Sequence, residues 1–259
     1  MNDEIMKSVY GPVGSWRLGK SLGIDPICSE KKICSFDCIY CQIGKGLKTC
    51  KRQNFISLEK LKEDLKKIKN VEAEVITFSG TGEPTLAKNL NEMVSYIKTI
   101  SSLPLAILTN SSLFLDKDVR NVLNKLDIVV AKIDAPNEIL FQKINRPHPK
   151  IKFKSYLAGI KKFRKNYSGK FALQMMFVEE NKNFANEMVK IARKIEPDEI
   201  QINTPLRPCA VKPLSKSAIK KIKSKFSCFK NVISVYEAKR PKVMPLDLKE
   251  VQKRKRPKP

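Results

Sequence analysis

From residue 70 onward, short apolar runs alternate with stretches whose apolar residues recur every three or four positions. Runs of four to eight fit buried strands, and the 3.6-residue period fits helices that lay one face on a sheet. The strands expected are residues 22–27, 74–79, 105–109, 128–133, 171–178 and 199–203. Between them lie helical patterns: Leu58, Leu61, Leu65 and Ile68; Leu90, Met93, Val94 and Ile97; Val119, Val122 and Leu123; Tyr156, Leu157, Ile160 and Phe163; and Phe184, Met188, Ile191 and Ile195. Each presents a single apolar face. A helix over 215–226 and a short strand over 232–236 close one flank.

The intervals between strands leave room for crossover helices, which are nearly always right-handed. Six sequential units curl most simply into a partial α/β barrel, a (β/α)6 variant of the TIM-like barrel, where reactive groups sit after the C-terminal strand ends. Polar residues fall there: Gly80, Thr81, Gly82 and Glu83 after the second strand, Asn110 and Ser111 after the third, Asp134 after the fourth, and Asn203 and Thr204 after the sixth. Gln174 is a neutral polar residue inside the fifth strand. Residues 1–245 read as one core with flanking C-terminal elements, and 246–259 as a basic, proline-broken tail that should be mobile.

Hydrophobic residues make up 42% of the 259, enough for a buried core. No run of eighteen apolar residues and no apolar leader is present, so no membrane span is expected and the default location is cytoplasmic. Seven cysteines, an odd number, fit a reducing compartment better than a disulfide framework. The net charge of +25 attracts polyanions and makes RNA a candidate partner. The alternative is a solvated surface, since lysines such as Lys60, Lys62, Lys66 and Lys67 crowd helix faces.

The chemistry concentrates in Cys34-Ser35-Phe36-Asp37-Cys38-Ile39-Tyr40-Cys41. Three thiolates in one tight loop can hold three irons of a [4Fe–4S] cube, a cluster ordinarily held by four cysteines, and leave the fourth iron to a small molecule. A zinc site completed by Cys28 or Cys50 is the alternative, although zinc knuckles usually come as two separated pairs. Cys28, Cys50, Cys209 and Cys228 follow no ligand spacing, and isolated cysteines are most often small buried hydrophobes, a second cluster being the alternative. The second motif is Ser79-Gly80-Thr81-Gly82-Glu83-Pro84. Its glycines permit close backbone approach to a ligand, and its carboxylate can accept hydrogen bonds from an amine.

Together, C-x3-C-x2-C after the first strand and G-x-G-E-P after the second resemble the radical S-adenosylmethionine superfamily over roughly residues 8–210. The resemblance implies that Cys34, Cys38 and Cys41 bind the [4Fe–4S] cluster. S-adenosylmethionine would then chelate the open iron, Gly80 through Glu83 would hold its amine, and Tyr40 would pack against adenine or merely within its loop. It also implies a flavodoxin- or ferredoxin-like electron donor and hydrogen abstraction by a 5′-deoxyadenosyl radical. Longer runs, among them Tyr10–Gly19, Lys132–Ala135 and Ile144–Pro149, resemble small prokaryotic radical proteins likened to the tRNA wyosine-base synthase, so RNA is the leading substrate class. A glycyl-radical-enzyme activase is one alternative, and a non-catalytic metal-containing nucleic-acid-binding protein the other.

Other residues keep two readings each. Asp134 holds a ribose hydroxyl or caps a turn; Lys132 points inward to an anion or outward to solvent. Gln174 and Asn203 touch a ligand or are satisfied core polars, and Asn110 is a candidate cofactor contact. Arg17 and Arg146 bind a substrate phosphate or carboxylate, or make surface ion pairs. His148, between two prolines, reads as a solvent-facing loop residue, and Met175 and Met176 as core packing.

Overall fold

The computed structural model describes residues 6–66 and 71–254. An antiparallel hairpin, β1 (Val9–Ser15) and β2 (Gly19–Ile24), comes first. The cysteine segment contributes a separate parallel pair, β3 (Lys32–Cys34) and β4 (Gly46–Lys48). Then follow α1 (Leu58–Lys66), β5 (Val75–Phe78), α2 (Leu90–Ile100), β6 (Leu105–Thr109), α3 (Lys117–Leu123) and β7 (Ile128–Lys132). Two helices, α4 (Glu138–Asn145) and α5 (Phe153–Lys165), precede β8 (Lys170–Met176). The chain continues through α6 (Ala185–Arg193), β9 (Glu199–Asn203), α7 (Lys216–Ser224), β10 (Val232–Ser234) and α8 (Leu248–Lys253).

The main sheet runs β1-β2-β5-β6-β7-β8-β9-β10, parallel everywhere except in the opening hairpin. It is the curled, partial barrel expected from the alternating pattern, and all six expected strands are present. Strand β1 and helix α4 are additions. Gly11, Pro12 and Gly14 make β1 read as a turn, yet an edge strand tolerates proline, and its register shifts between Tyr10 and Val13. Ile68, expected at the end of α1, lies outside the described residues.

The pleat divides each strand between two environments. Ile24, Phe78, Ile107, Val129, Leu173 and Ile202 join Met93, Ile97, Ile160, Phe163 and Met188 of the helices in one hydrophobic core. On the alternate face Ser21, Thr77, Lys132, Gln174 and Asn203 line a cavity. Lys132 therefore points inward.

The tail is not the mobile segment its composition suggests, at least through residue 254. Gly14 packs so tightly on the Pro241 carbonyl that a Cβ there would collide with it, and Leu246 N–H donates to Gly11 O (2.7 Å). The chain after β10 thus returns to β1, the opposite edge of the sheet. Asp247 caps α8 through the amides of Lys249 and Glu250, and Arg254 is buried at 4% exposure. Its guanidinium pairs with Asp25 Oδ2 (3.0 Å) and Glu250 Oε2 (2.9 Å). A charged side chain outweighs the pull of solvent here because two buried carboxylates neutralise it. The rest of the expected tail, 255–259, lies outside the described residues.

Removing one partner from such a buried set strands the others. Arg254→Ala should lower the unfolding free energy by about 3–5 kcal/mol, read from the shift of the urea midpoint at constant slope; an unchanged midpoint would show that the C-terminal segment does not dock.

Candidate functional site

The cysteine loop is held from two sides. On one, Ile33 N–H donates to Thr81 O (3.2 Å) and Glu83 N–H donates to Ile33 O (3.1 Å), a parallel bridge of Ile33 to Gly82. A Cβ on Gly82 would collide with the Ile33 carbonyl, and one on Gly80 with the Asp25 carboxylate. These glycines therefore serve close protein packing, and both also line the cavity described below. On the other side the end of α4 takes over: Asp37 N–H donates to Asn145 O (3.0 Å), Ile39 N–H to Ile144 O (2.9 Å) and His148 N–H to Ser35 O (2.8 Å). Between these lashings Phe36 is buried against Phe141 and Tyr156, ring centroids 5.3 and 5.9 Å away. Burying that ring contributes about 1.5–3 kcal/mol.

Two amides reach the sulfurs. Asn110 Nδ2 lies 3.4 Å from Cys34 Sγ and 2.8 Å from Ser35 Oγ; Asn145 Nδ2 lies 3.5 Å from Cys38 Sγ. Phe36 N–H also points to Cys34 Sγ (3.5 Å). Burial pushes the Cys38 thiol up to about 11, a rise that Lys132 opposes and Asp134 reinforces. Burial raises Cys34 further, with repulsion from Glu83 added. A bound iron reverses this preference, because it stabilises the thiolate directly. Among the described residues no three His, Cys, Asp or Glu side chains gather as ligands to a single ion; in a multi-iron cluster each thiolate takes its own iron, so no such gathering is required.

Glu83 is 2% exposed. Its Oε1 accepts from Thr109 Oγ1 (2.6 Å), Thr85 Oγ1 (2.7 Å) and Thr85 N–H (3.2 Å), its Oε2 from Asn110 N–H (2.7 Å). Burial nevertheless lifts its pKa above the usual carboxylate value, so a cation beside it would be favoured. Asp134 is committed elsewhere. Its Oδ1 accepts from Met176 N–H (2.8 Å), and its Oδ2 from Asn145 Nδ2 (2.7 Å) and the Tyr40 hydroxyl. Asp134 thus anchors the loop through tertiary bonds and is not among the residues that line the cavity. Tyr40 is 6% exposed and its ring carries the Lys132 ammonium 4.7 Å from its centroid.

These groups meet at a cavity of about 350 Å³ lined by Cys34, Cys38, Tyr40, Cys41, Gly80, Gly82, Glu83, Asn110, Gln174 and Asn203. Thr81 is the exception beside Asp134. Its hydroxyl donates to Asp25 Oδ2 (3.0 Å) and accepts from Ser29 N–H (3.0 Å), away from the cavity. Met175 and Met176 both pack in the core, and Met176 also lines the cavity. His148 is half-buried in its loop, outside the cavity lining, and its Nδ1 accepts from Lys150 N–H (3.3 Å) at an exposed position. The sequence reading missed Asp25, a lone acid without periodicity, and the amide of Asn145, which only its place in the run 144–149 could have flagged. Cys28 and Cys209 donate to the carbonyls of Met6 (3.1 Å) and Val211 (3.2 Å), Cys50 packs against the core and Cys228 is exposed.

Comparison with known proteins agrees with this arrangement. The family described as the radical SAM superfamily matches residues 32–194. A UPF0026 protein of Methanocaldococcus jannaschii is 36% identical over 236 residues, 88% of this chain and 73% of its own. One from a Synechocystis species is 39% identical over 211 residues, 81% and 78%. In fold, the chain is similar to Streptococcus suis SuiB bound to S-adenosylmethionine (TM-score 0.62, 13% identity, 79% of this chain). It is also similar to a radical SAM methyltransferase from Sphaerobacter thermophilus (TM-score 0.60, 13% identity, 83% of this chain and 65% of the other). The chain spans about half the length of SuiB, 48%. No helix among the described residues is long and apolar enough to cross a membrane.

Gly82→Ala tests the lashing of the loop. The added methyl group meets backbone, which cannot swing aside, so stability should fall by about 1–3 kcal/mol. Iron and sulfide retained per chain after anaerobic reconstitution should fall with it, and wild-type retention would show that the Ile33 bridge does not set the loop. Removing a sulfur-directed amide, in Asn110→Ala or Asn145→Ala, should weaken metal retention about 10–100-fold, measured by chelator challenge.

Proposed function

Because the chain belongs to the radical SAM superfamily, we propose that Cys34, Cys38 and Cys41 hold a [4Fe–4S] cluster whose open iron takes S-adenosylmethionine, and that the enzyme abstracts hydrogen from a substrate at the cavity. The observation that carries the reading is the meeting of the three thiols with buried Glu83 in one cavity at the strand ends. When bound, the reduced cluster and S-adenosylmethionine supply a 5′-deoxyadenosyl radical that removes a hydrogen atom from substrate.

The protein's part is positional. Asn110, Asn145 and the Phe36 amide aim N–H groups at Cys34 and Cys38, where they would stabilise anionic sulfur and tune its potential. Glu83, fixed by four protein donors, presents a carboxylate suited to the methionine amine. Tyr40, clamped by Asp134 and Asn145, offers a rigid ring beside the third cysteine. Gln174 and Asn203 remain available for hydrogen bonds to the adenosyl part or the substrate. A flavodoxin- or ferredoxin-like electron donor belongs to the same proposal. So does RNA as the candidate substrate, supported by the net charge of +25.

The test is anaerobic reconstitution with iron and sulfide, reduction by dithionite and chromatography for 5′-deoxyadenosine. The wild-type chain should form it, while Cys34→Ala, Cys38→Ala and Cys41→Ala should each fall to the protein-free background. Zinc retained in place of iron, or product formation unchanged in all three variants, would overturn the assignment.

A further inference from the structure

Charge is distributed unevenly around the cavity. Six cations line it, Arg17, Lys32, Lys132, Arg207, Arg240 and Arg254, against one acid, Glu83. Lys32 pairs with Asp37, and Arg254 with Asp25 and Glu250. Among the described residues Arg17, Lys132, Arg207 and Arg240 have no acidic partner. Lys132 is spoken for by Tyr40. The three arginines remain.

They come from opposite edges of the sheet. Arg17 sits in the β1–β2 turn, while Arg207 follows β9 and Arg240 follows β10. Arg17 stacks on Trp16, 5.0 Å from its centroid, and its Nε is buried with no hydrogen-bond partner among the described residues. Arg207 Nη1 makes one neutral bond, to Gln42 Oε1 (3.0 Å), and Arg240 has none among the described residues. Burial, then repulsion from Arg207 and Arg240, lowers the Arg17 pKa to about 10. Arg207 is lowered likewise by burial and by Arg240. The three guanidiniums face one cavity without a counter-charge, and the buried, unpaired Arg17 N–H carries a further penalty. An anion seated among them removes both.

We propose that Arg17, Arg207 and Arg240 form a phosphate-binding subsite through which this cavity recognises its substrate. The inference rests on the reading of the cavity as the substrate site and adds the substrate's chemical class. Phosphate fits better than carboxylate, since more acceptor oxygens and a charge approaching −2 can engage three guanidinium forks at once. A free nucleotide and a 5′-phosphorylated polynucleotide end both offer this dianion, whereas an internal phosphodiester carries one charge and two free oxygens. The paired cations need no such ligand: Lys32 and Arg254 already neutralise protein carboxylates.

Trp16 is the sole tryptophan of the chain and lies against Arg17, so its emission reports on the subsite independently of turnover. With the cluster reconstituted, inorganic phosphate, a 5′-mononucleotide and an RNA oligonucleotide are each titrated at fixed ionic strength, with acetate as the carboxylate comparison. At least one phosphate compound should change the emission saturably and bind at least tenfold tighter than acetate. Arg207→Gln and Arg240→Gln, both at exposed positions, should each weaken it tenfold or more. Arg207→Lys, which keeps charge but not the fork, should fall between. Whichever phosphate compound binds most tightly identifies the source.

Acetate binding as tightly as phosphate, no saturable response to any phosphate compound, or affinities unchanged in both glutamine variants would overturn the proposal. The same preparation is assayed for 5′-deoxyadenosine. Its formation without phosphate binding sinks the subsite alone, and phosphate binding without its formation sinks the cofactor reading alone.

Discussion

Asp25, fully buried at the end of β2, is the group on which the site is assembled. Its Oδ1 accepts from the amides of Ile27 (3.1 Å) and Cys28 (2.9 Å), and its Oδ2 from the Thr81 amide, the Thr81 hydroxyl and Arg254 Nε, each at 3.0 Å. One carboxylate thereby turns the chain out of β2, fixes the Gly80–Glu83 segment and captures the C-terminal segment. Since Thr81 then bonds β3, the position of Cys34 follows from a residue that touches no cofactor. Each of these donors replaces a water that the buried carboxylate has lost.

The same logic accounts for what could be seen in the sequence. The parallel strands were legible because a buried strand must be apolar along its length, and β6 and β9 begin and end where the pattern places them. Helix α4 was not, since its eight residues lie between turn-forming residues and its contribution is largely tertiary. The cysteines and Glu83 were legible as motifs. The glycines were visible too, but their reason was not: they make room for Ile33 and Asp25, partners that only the folded chain brings near. Asp134 illustrates the converse. Nothing in its strand-end position announces the three donors that make it an anchor.

The C-terminal segment misled for a simpler reason. Basic composition and proline argue for a solvated tail, and although Glu250 stands four positions before Arg254, nothing local says that a second acid, Asp25, waits for it in a buried site. Asp25 and Arg254 stand 229 positions apart, beyond any periodicity. By returning to β1, this segment joins the two sheet edges that a partial barrel leaves separate, and it carries Arg240 along that path to the cavity.

The alternation along each strand has a consequence for how such a chain can diverge. Positions such as Phe78, Val129 and Ile202 hold the helices on, whereas their neighbours Thr77, Lys132 and Asn203 meet the cavity and contribute little to that packing. Exchanges at distant, independent positions add nearly without coupling. The inner face is therefore open to change residue by residue while the outer face keeps the barrel folded, so relatives can acquire new substrates without first acquiring a new scaffold.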